Sequence, residues 1–175
     1  MRYASIRAAL AALVLAVGCA AHAADTPADP KLSGTDRHFI THATEDGLAE
    51  VELGRLAQQN GAHSAVKDLG RRSEAGHARA NQELGAIAAR YGISVPTQPG
   101  SRHQSDIKKF SRLKGADFDR EYADHRVRQL EKAVALFEKQ ARNGDAAELR
   151  AYASKTLPAL QELLKMAQAH KARQK

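Results

Sequence analysis

Cysteine is almost absent: Cys19 is the only one, and it lies in a leading segment expected to be removed. Without thiols the mature chain can build no disulfide framework, no thiolate metal site and no cysteine nucleophile. Tryptophan is missing and aromatic residues are few, so a core has to be filled mainly by Ala, Leu and Val. No apolar run approaches the roughly 20 residues that span a bilayer. A phosphate-cradling glycine loop, a GxSxG turn and a Ser/His/Asp set in recognisable context are also missing, and enzyme readings lose ground accordingly.

The chain does carry an export-like leader. Arg2 and Arg7 precede an apolar run from Ala8 to Val17, and Ala21-His22-Ala23 has the small-x-small form read by a signal peptidase. Residues 1–23 are therefore expected to be a signal peptide, and the mature protein to reside in the periplasm. The alternative is lipoprotein processing at Ala16-Val17-Gly18-Cys19, which would leave a lipid anchor on Cys19.

Removing Arg2 and Arg7 lowers a formal net charge of +7 only slightly. The remaining Lys and Arg interleave with Glu and Asp, as on solvated helix faces, so no nucleic-acid partner is expected. Only the stretch Lys165–Lys175 is one-sided, and peripheral contact with anionic lipid would be salt-sensitive there. The expected partner is an envelope protein or a second copy of the chain.

Helix signals dominate the rest. After a polar lead over residues 24–34, which is expected to be disordered, Ser33–Asp36 supplies an N-cap cluster, and a first helix should run from Thr35 to about Gln59, stopped by Asn60-Gly61. A second starts at Ser64, with Val66, Leu69, Ser73, His77, Ala80, Leu84, Ile87 and Tyr91 on one stripe, and ends at Gly92. A Gly- and Pro-rich loop, a short helix near Gln104–Leu113 and a turn at Lys114-Gly115 lead into a third long helix, Ala116 to Ala141. Past Asn143-Gly144, Asp145 to Glu148 has the spacing of a capping box, and a fourth helix runs to about His170 with a kink expected at Pro158. Four helices of about 25 residues, each about 38 Å long, suit an all-α antiparallel four-helix bundle with one short extra helix before the third long one. The bundle is expected over residues 35–170, with a basic tail at 171–175.

Several polar residues fall on core stripes. Asp46 and Glu50 share a face with Phe39, Ala43, Leu53 and Ala57, and each must be shallow, protonated, paired or metal-bound. Glu74-Ala-Gly-His77 has the Glu-x-x-His spacing that projects both side chains from one helix face. Phe118, Tyr122, His125, Gln129 and Leu136 line the third helix, flanked by Asp119 and Glu121. One outcome is a metal or proton-coupled centre of Asp46, Glu50, Glu74, His77 and His125 with Tyr122, holding a divalent ion or iron. The plainer outcome, which we take as the expectation, needs no cofactor: Glu50 and His77 form a buried hydrogen-bonded pair, and Glu74 and His125 are partly solvated. A second set, His38, His42 and Glu45, could hold a divalent ion but lies off the apolar stripe, where a solvated face is the simpler reading.

The blocks Glu50–Ala57 (EVELGRLA), His77 with Asn81 and Leu84, Phe118–Tyr122 (FDREY) and Leu157-Pro158-Ala159-Leu160 carry a resemblance. From about Asp36 to Gln168 the chain resembles the domain of unknown function 4142 family. The resemblance implies an exported bacterial protein of the outer envelope with a ferritin-like helical bundle and no settled biochemical role. Relatives typically carry histidines where this chain has Leu130 and Leu163. Leucine cannot bind a metal, so the departure argues against ferroxidase chemistry. The expected role is non-enzymatic, structural, interaction-based or stress-associated, with a ferritin-like metal or redox protein using Glu50 and His77 as the alternative.

Overall fold

The computed structural model describes residues 32–173, which form five helices: α1 Gly34–Asn60, α2 Ser64–Arg90, α3 Ser101–Phe110, α4 Gly115–Asn143 and α5 Ala147–Ala172. The expected signal peptide, the Cys19 processing site and most of the expected lead lie outside these residues. No strand occurs among the described residues, apart from one isolated bridge between Gly61 and Gly115. No described helix is long and apolar enough to cross a membrane.

Helix ends fall close to the expected turns, with small shifts that have physical causes. Ser33 caps α1 by accepting the Asp36 N–H at 3.1 Å, and Leu32 is buried, so the ordered bundle begins ahead of Thr35. Gly92 ends α2 at φ +64, a conformation costly for residues with a Cβ. The short helix begins at Ser101, a little earlier than its polar sequence suggests, and Phe110 anchors its far end in the core. α5 continues through the exposed Pro158 and on to Ala172, and Lys171 pairs with Asp124 at 2.9 Å, so the expected tail is partly helix.

The four long helices make two hairpins, α1 on α2 and α4 on α5, which then pack on each other to form a helical bundle. In the first hairpin the backbones come very close at Gly54 and Gly70. A Cβ at Gly54 would stand 2.6 Å from the Gly70 carbonyl oxygen, so only glycine permits this crossing. Phe39 meets Phe137 and Tyr152 edge-on toward one end of the core, and Phe110 meets Phe118 and Tyr122 edge-on toward the other.

The hairpins clasp each other at both ends in the same way. Asp36, fully buried near the start of α1, accepts the N–H groups of Asp145 (3.3 Å) and Ala146 (2.9 Å) in the α4–α5 turn, and Gln140 Nε2 at 2.7 Å. Asp119, fully buried near the start of α4, accepts the N–H groups of Ala62 (3.1 Å) and His63 (2.9 Å) in the α1–α2 turn, and meets His63 Nδ1 at 2.5 Å. Neither α2 nor α5 has a side-chain cap of its own, so each borrows a carboxylate from the other hairpin, where the positive end of the helix dipole also favours it. This corrects the expected capping box: the α5 N-cap is Ala146, and Asp145 donates its backbone N–H instead of capping with its side chain. Asp36 and Asp119 are separated along the chain by the same distance as Asn60-Gly61 and Asn143-Gly144, so the hairpins are built on one plan.

Candidate functional site

Midway along the bundle, polar residues project inward from three long helices. One turn apart on α1 stand Asp46 and Glu50; one turn apart on α2 stand Ser73 and His77; α4 contributes Tyr122 and Arg126, with Gln129 beside them. α3 lies over this level of α1 and brings in His103. The centre is Arg126, 0% exposed, whose Nη1 forms an ion pair with Glu50 Oε2, itself on a residue 6% exposed. Arg126 Nη2 donates to Ser73 Oγ at 3.1 Å. The expectation that Glu50 pairs with His77 is therefore corrected: its partner is Arg126, because a guanidinium neutralises a buried carboxylate that a neutral imidazole cannot.

Burial sets the protonation behaviour of the cluster. Loss of hydration pushes the Glu50 carboxyl above its ordinary pKa, and Arg126 works against that shift. His77, 9% exposed, is brought down to about 3, first by burial and then by repulsion from Arg126, so its ring is neutral at ordinary pH. Its Nε2 has no hydrogen-bond partner among the described residues. Burial likewise raises the Tyr122 phenol. At the outer edge His103 Nε2 contacts Asp46 Oδ1 at 2.8 Å, and this bond raises the pKa of His103.

A cavity of about 20 Å³ lies among Asp46, Glu50, His77, His103, Arg126 and Gln129, room for one water-sized species. Arg126 offsets the charge of Glu50 there, and His103 is held by Asp46. Outward from Asp46, His103 and Gln129 the surface opens into a polar basin that includes His42, Glu45 and Lys132.

Of the residues expected to gather, Asp46, Glu50 and His77 do so, and Glu74 and His125 do not. Glu74 turns to the outer groove between α1 and α2, where Arg55 Nε (2.8 Å) and Gln58 Nε2 (2.7 Å) donate to its carboxylate and lower its pKa. Helical spacing places Glu74 and His77 on adjacent rows, and Arg55 decides which way the carboxylate goes. His125 is buried, and its ring meets that of Phe110 at 5.0 Å; burial lowers its pKa to about 4, so the expected partial solvation of this residue is corrected as well. His38 and His42 are exposed with their rings 4.1 Å apart, and the Glu45 carboxylate rests against Gly100. Among the described residues, no three His, Cys, Asp or Glu side chains converge as a metal-holding group. Arg126 and His103 are absent from the expected set. Arg126 could have been found, since Tyr122 and Leu130 flank it at one turn on either side.

A family model described as a domain of unknown function (DUF4142) matches residues 21–170. The chain belongs to the DUF4142 family. No curated protein and no solved structure matches it. In this DUF4142 chain the two leucines noted in the sequence, Leu130 and Leu163, are both buried in the hydrophobic core, Leu130 beside the polar cavity.

Proposed function

We propose that this DUF4142 protein is a non-enzymatic, structural or interaction protein of the bacterial envelope, exported to the periplasm, and that its helices form an antiparallel, ferritin-like bundle. The antiparallel part of the reading is supported by the order of contacts along the hairpins: Gly54 meets Gly70 while Thr44 meets Asn81. Its working parts are its surfaces, and its interior polar cluster specifies how the two hairpins seat on each other.

One observation carries the functional reading: the carboxylate at the bundle centre is already matched by a fully buried guanidinium. Arg126 supplies the positive charge that a metal ion would otherwise bring. A cation entering beside it would also meet repulsion of about 4 kcal/mol per unit charge at 4 Å for an effective dielectric of about 20. The residues present therefore do not fit a ferritin-type metal centre, although Glu50, His77, Asp46 and His103 share one cavity. That shared cavity is what favours the alternative, a metal-binding or redox protein using Glu50 and His77.

Elemental analysis separates the two readings. The protein is isolated from periplasm without tags or chelators, beside a Glu50→Ala/His77→Ala variant. The proposed role expects no stoichiometric metal in either sample. A stoichiometric metal that is lost in the variant would overturn it in favour of the metal protein. The mass of the isolated chain distinguishes cleavage near Ala23 from lipidation at Cys19.

A further inference from the structure

The small cavity at mid-bundle is walled almost wholly by polar groups. Six of its eight lining residues are polar, drawn from α1, α2, α3 and α4, and only Leu130 and Ala133 are apolar. Its volume of about 20 Å³ meets the roughly 10–15 Å³ that one water needs and leaves no room for a ligand of several non-hydrogen atoms. The two charged pairs beside it leave polar capacity unused. Arg126 gives Nη1 to Glu50 and Nη2 to Ser73, while its Nε is buried and has no hydrogen-bond partner among the described residues. Such an orphaned guanidinium N–H is costly in a low-dielectric interior. A carboxylate has about four acceptor sites, and His103 takes one at Asp46 Oδ1. Asp46, His103 and Gln129 also border the outer basin, so they stand between it and the cavity.

We propose that this cavity is a binding site for a single water molecule, which accepts a hydrogen bond from Arg126 Nε and donates to the carboxylates of Asp46 and Glu50. The chemistry of the walls selects the ligand. A cation is repelled by Arg126, and an anion by Glu50 and Asp46. An apolar gas would leave the polar walls unsatisfied. Water is neutral, fits the volume, and both donates and accepts, and buried waters typically make about three hydrogen bonds of this kind. The assignment does not depend on the orientation of the His77 ring. Asp46 belongs to the first hairpin and Arg126 to the second, so the water bridges the two and completes the polar seat between them. In this it rests on the structural role proposed for the cluster.

The test joins magnetic relaxation dispersion of the water oxygen, which counts waters held for longer than nanoseconds, to a crystal structure at atomic resolution. Two variants are measured beside the unaltered chain. Ala133→Val fills the cavity from its apolar wall, and Glu50→Leu/Arg126→Leu removes its charged partners, since a cavity lined by apolar groups stays dry. The expected result is one long-lived water fewer per chain in each variant. The crystal structure of the unaltered protein should show one peak in the cavity, about 2.7–3.2 Å from Arg126 Nε and within hydrogen-bond reach of Asp46. Should a variant fail to fold, that crystal structure still decides. An empty cavity, or a water count unchanged in both folded variants, would overturn this proposal and leave the structural role standing. A peak about 2.0–2.2 Å from its ligands, with stoichiometric metal in elemental analysis, would overturn both.

Discussion

The two hairpins are alike at their ends and unlike in their middles. At each end a buried aspartate on the first helix of one hairpin accepts the turn amides of the other, with Asp36 and Asp119 in matching places. At mid-height, the same separation along the chain sets Ala43 against Arg126, Gly47 against Leu130, Glu50 against Ala133, His77 against Leu160 and Ala80 against Leu163. One hairpin supplies small residues, an acid and an imidazole; the other supplies large apolar residues and the guanidinium. The clasps therefore hold a symmetric frame, while the mismatch between middles creates the ion pair and the polar cavity.

The largest effect should come from breaking the mismatch on one side only. Arg126→Leu leaves Glu50 buried without a counter-charge and should cost about 3–5 kcal/mol in urea unfolding. Glu50→Leu/Arg126→Leu, which removes both buried charges at once, should recover most of that loss. A double variant as unstable as the single one would show that the pair is not the source.

Acid should expose the second asymmetry, His77 against Leu160. The folded pKa of His77, about 3, lies below its ordinary value, so the native state resists protonation. Its contribution is complete above about pH 6.5 and is lost as pH falls toward 3. Between pH 7 and 4.5 the protein should lose about 2–3 kcal/mol more stability than His77→Leu does. Parallel curves for the two proteins would show that His77 takes no part in acid unfolding.

The likeness of the ends is tested by Asp36→Ala and Asp119→Ala. Each removes a fully buried carboxylate that caps a foreign turn, and each should cost about 2 kcal/mol, the two adding because they act on opposite ends of α1. A clear inequality would mean that one clasp dominates.

The smallest effect belongs to His103→Gln, which removes a partly exposed pair with Asp46 and should cost under about 1 kcal/mol. Because the folded pKa of His103 is raised, its contribution is present below about pH 6.5 and fades as pH rises through the raised value. A fall in the amide protection factors of α3 above neutral pH in the unaltered protein, after correction for the intrinsic base-catalysed rate, with no such fall in His103→Gln, would bear this out.

Much of this frame was legible before any tertiary contact was known. Asn-Gly turns, Ser33 and Gly92 punctuate the chain at the helix ends because each stops or starts a helix through its own backbone chemistry. Periodicity turned Asp46, Glu50 and His77 inward because projection from a helix follows spacing alone. The site itself was less legible. Arg126 sits within a run of charged residues that reads as a solvated face, and its burial depends on Glu50 and Ser73 waiting on two other helices. Glu74 and His77 share the spacing of a metal motif, yet Arg55 draws Glu74 away.

Sequence alone thus determined the number of long helices, their boundaries to within a few residues, the family, and which residues could enter the core. The helices and the core candidates follow from local propensity, periodicity and capping, which act over a few residues, while the family follows from the resemblance of particular residue blocks. Tertiary structure alone decided which polar residues meet: Asp36 with the α4–α5 turn, Asp119 with the α1–α2 turn, His103 with Asp46, and Arg126 with Glu50. The physical reason is that a buried charge is tolerated only where a partner from a distant part of the chain is brought to it, and that arrival depends on how whole hairpins pack.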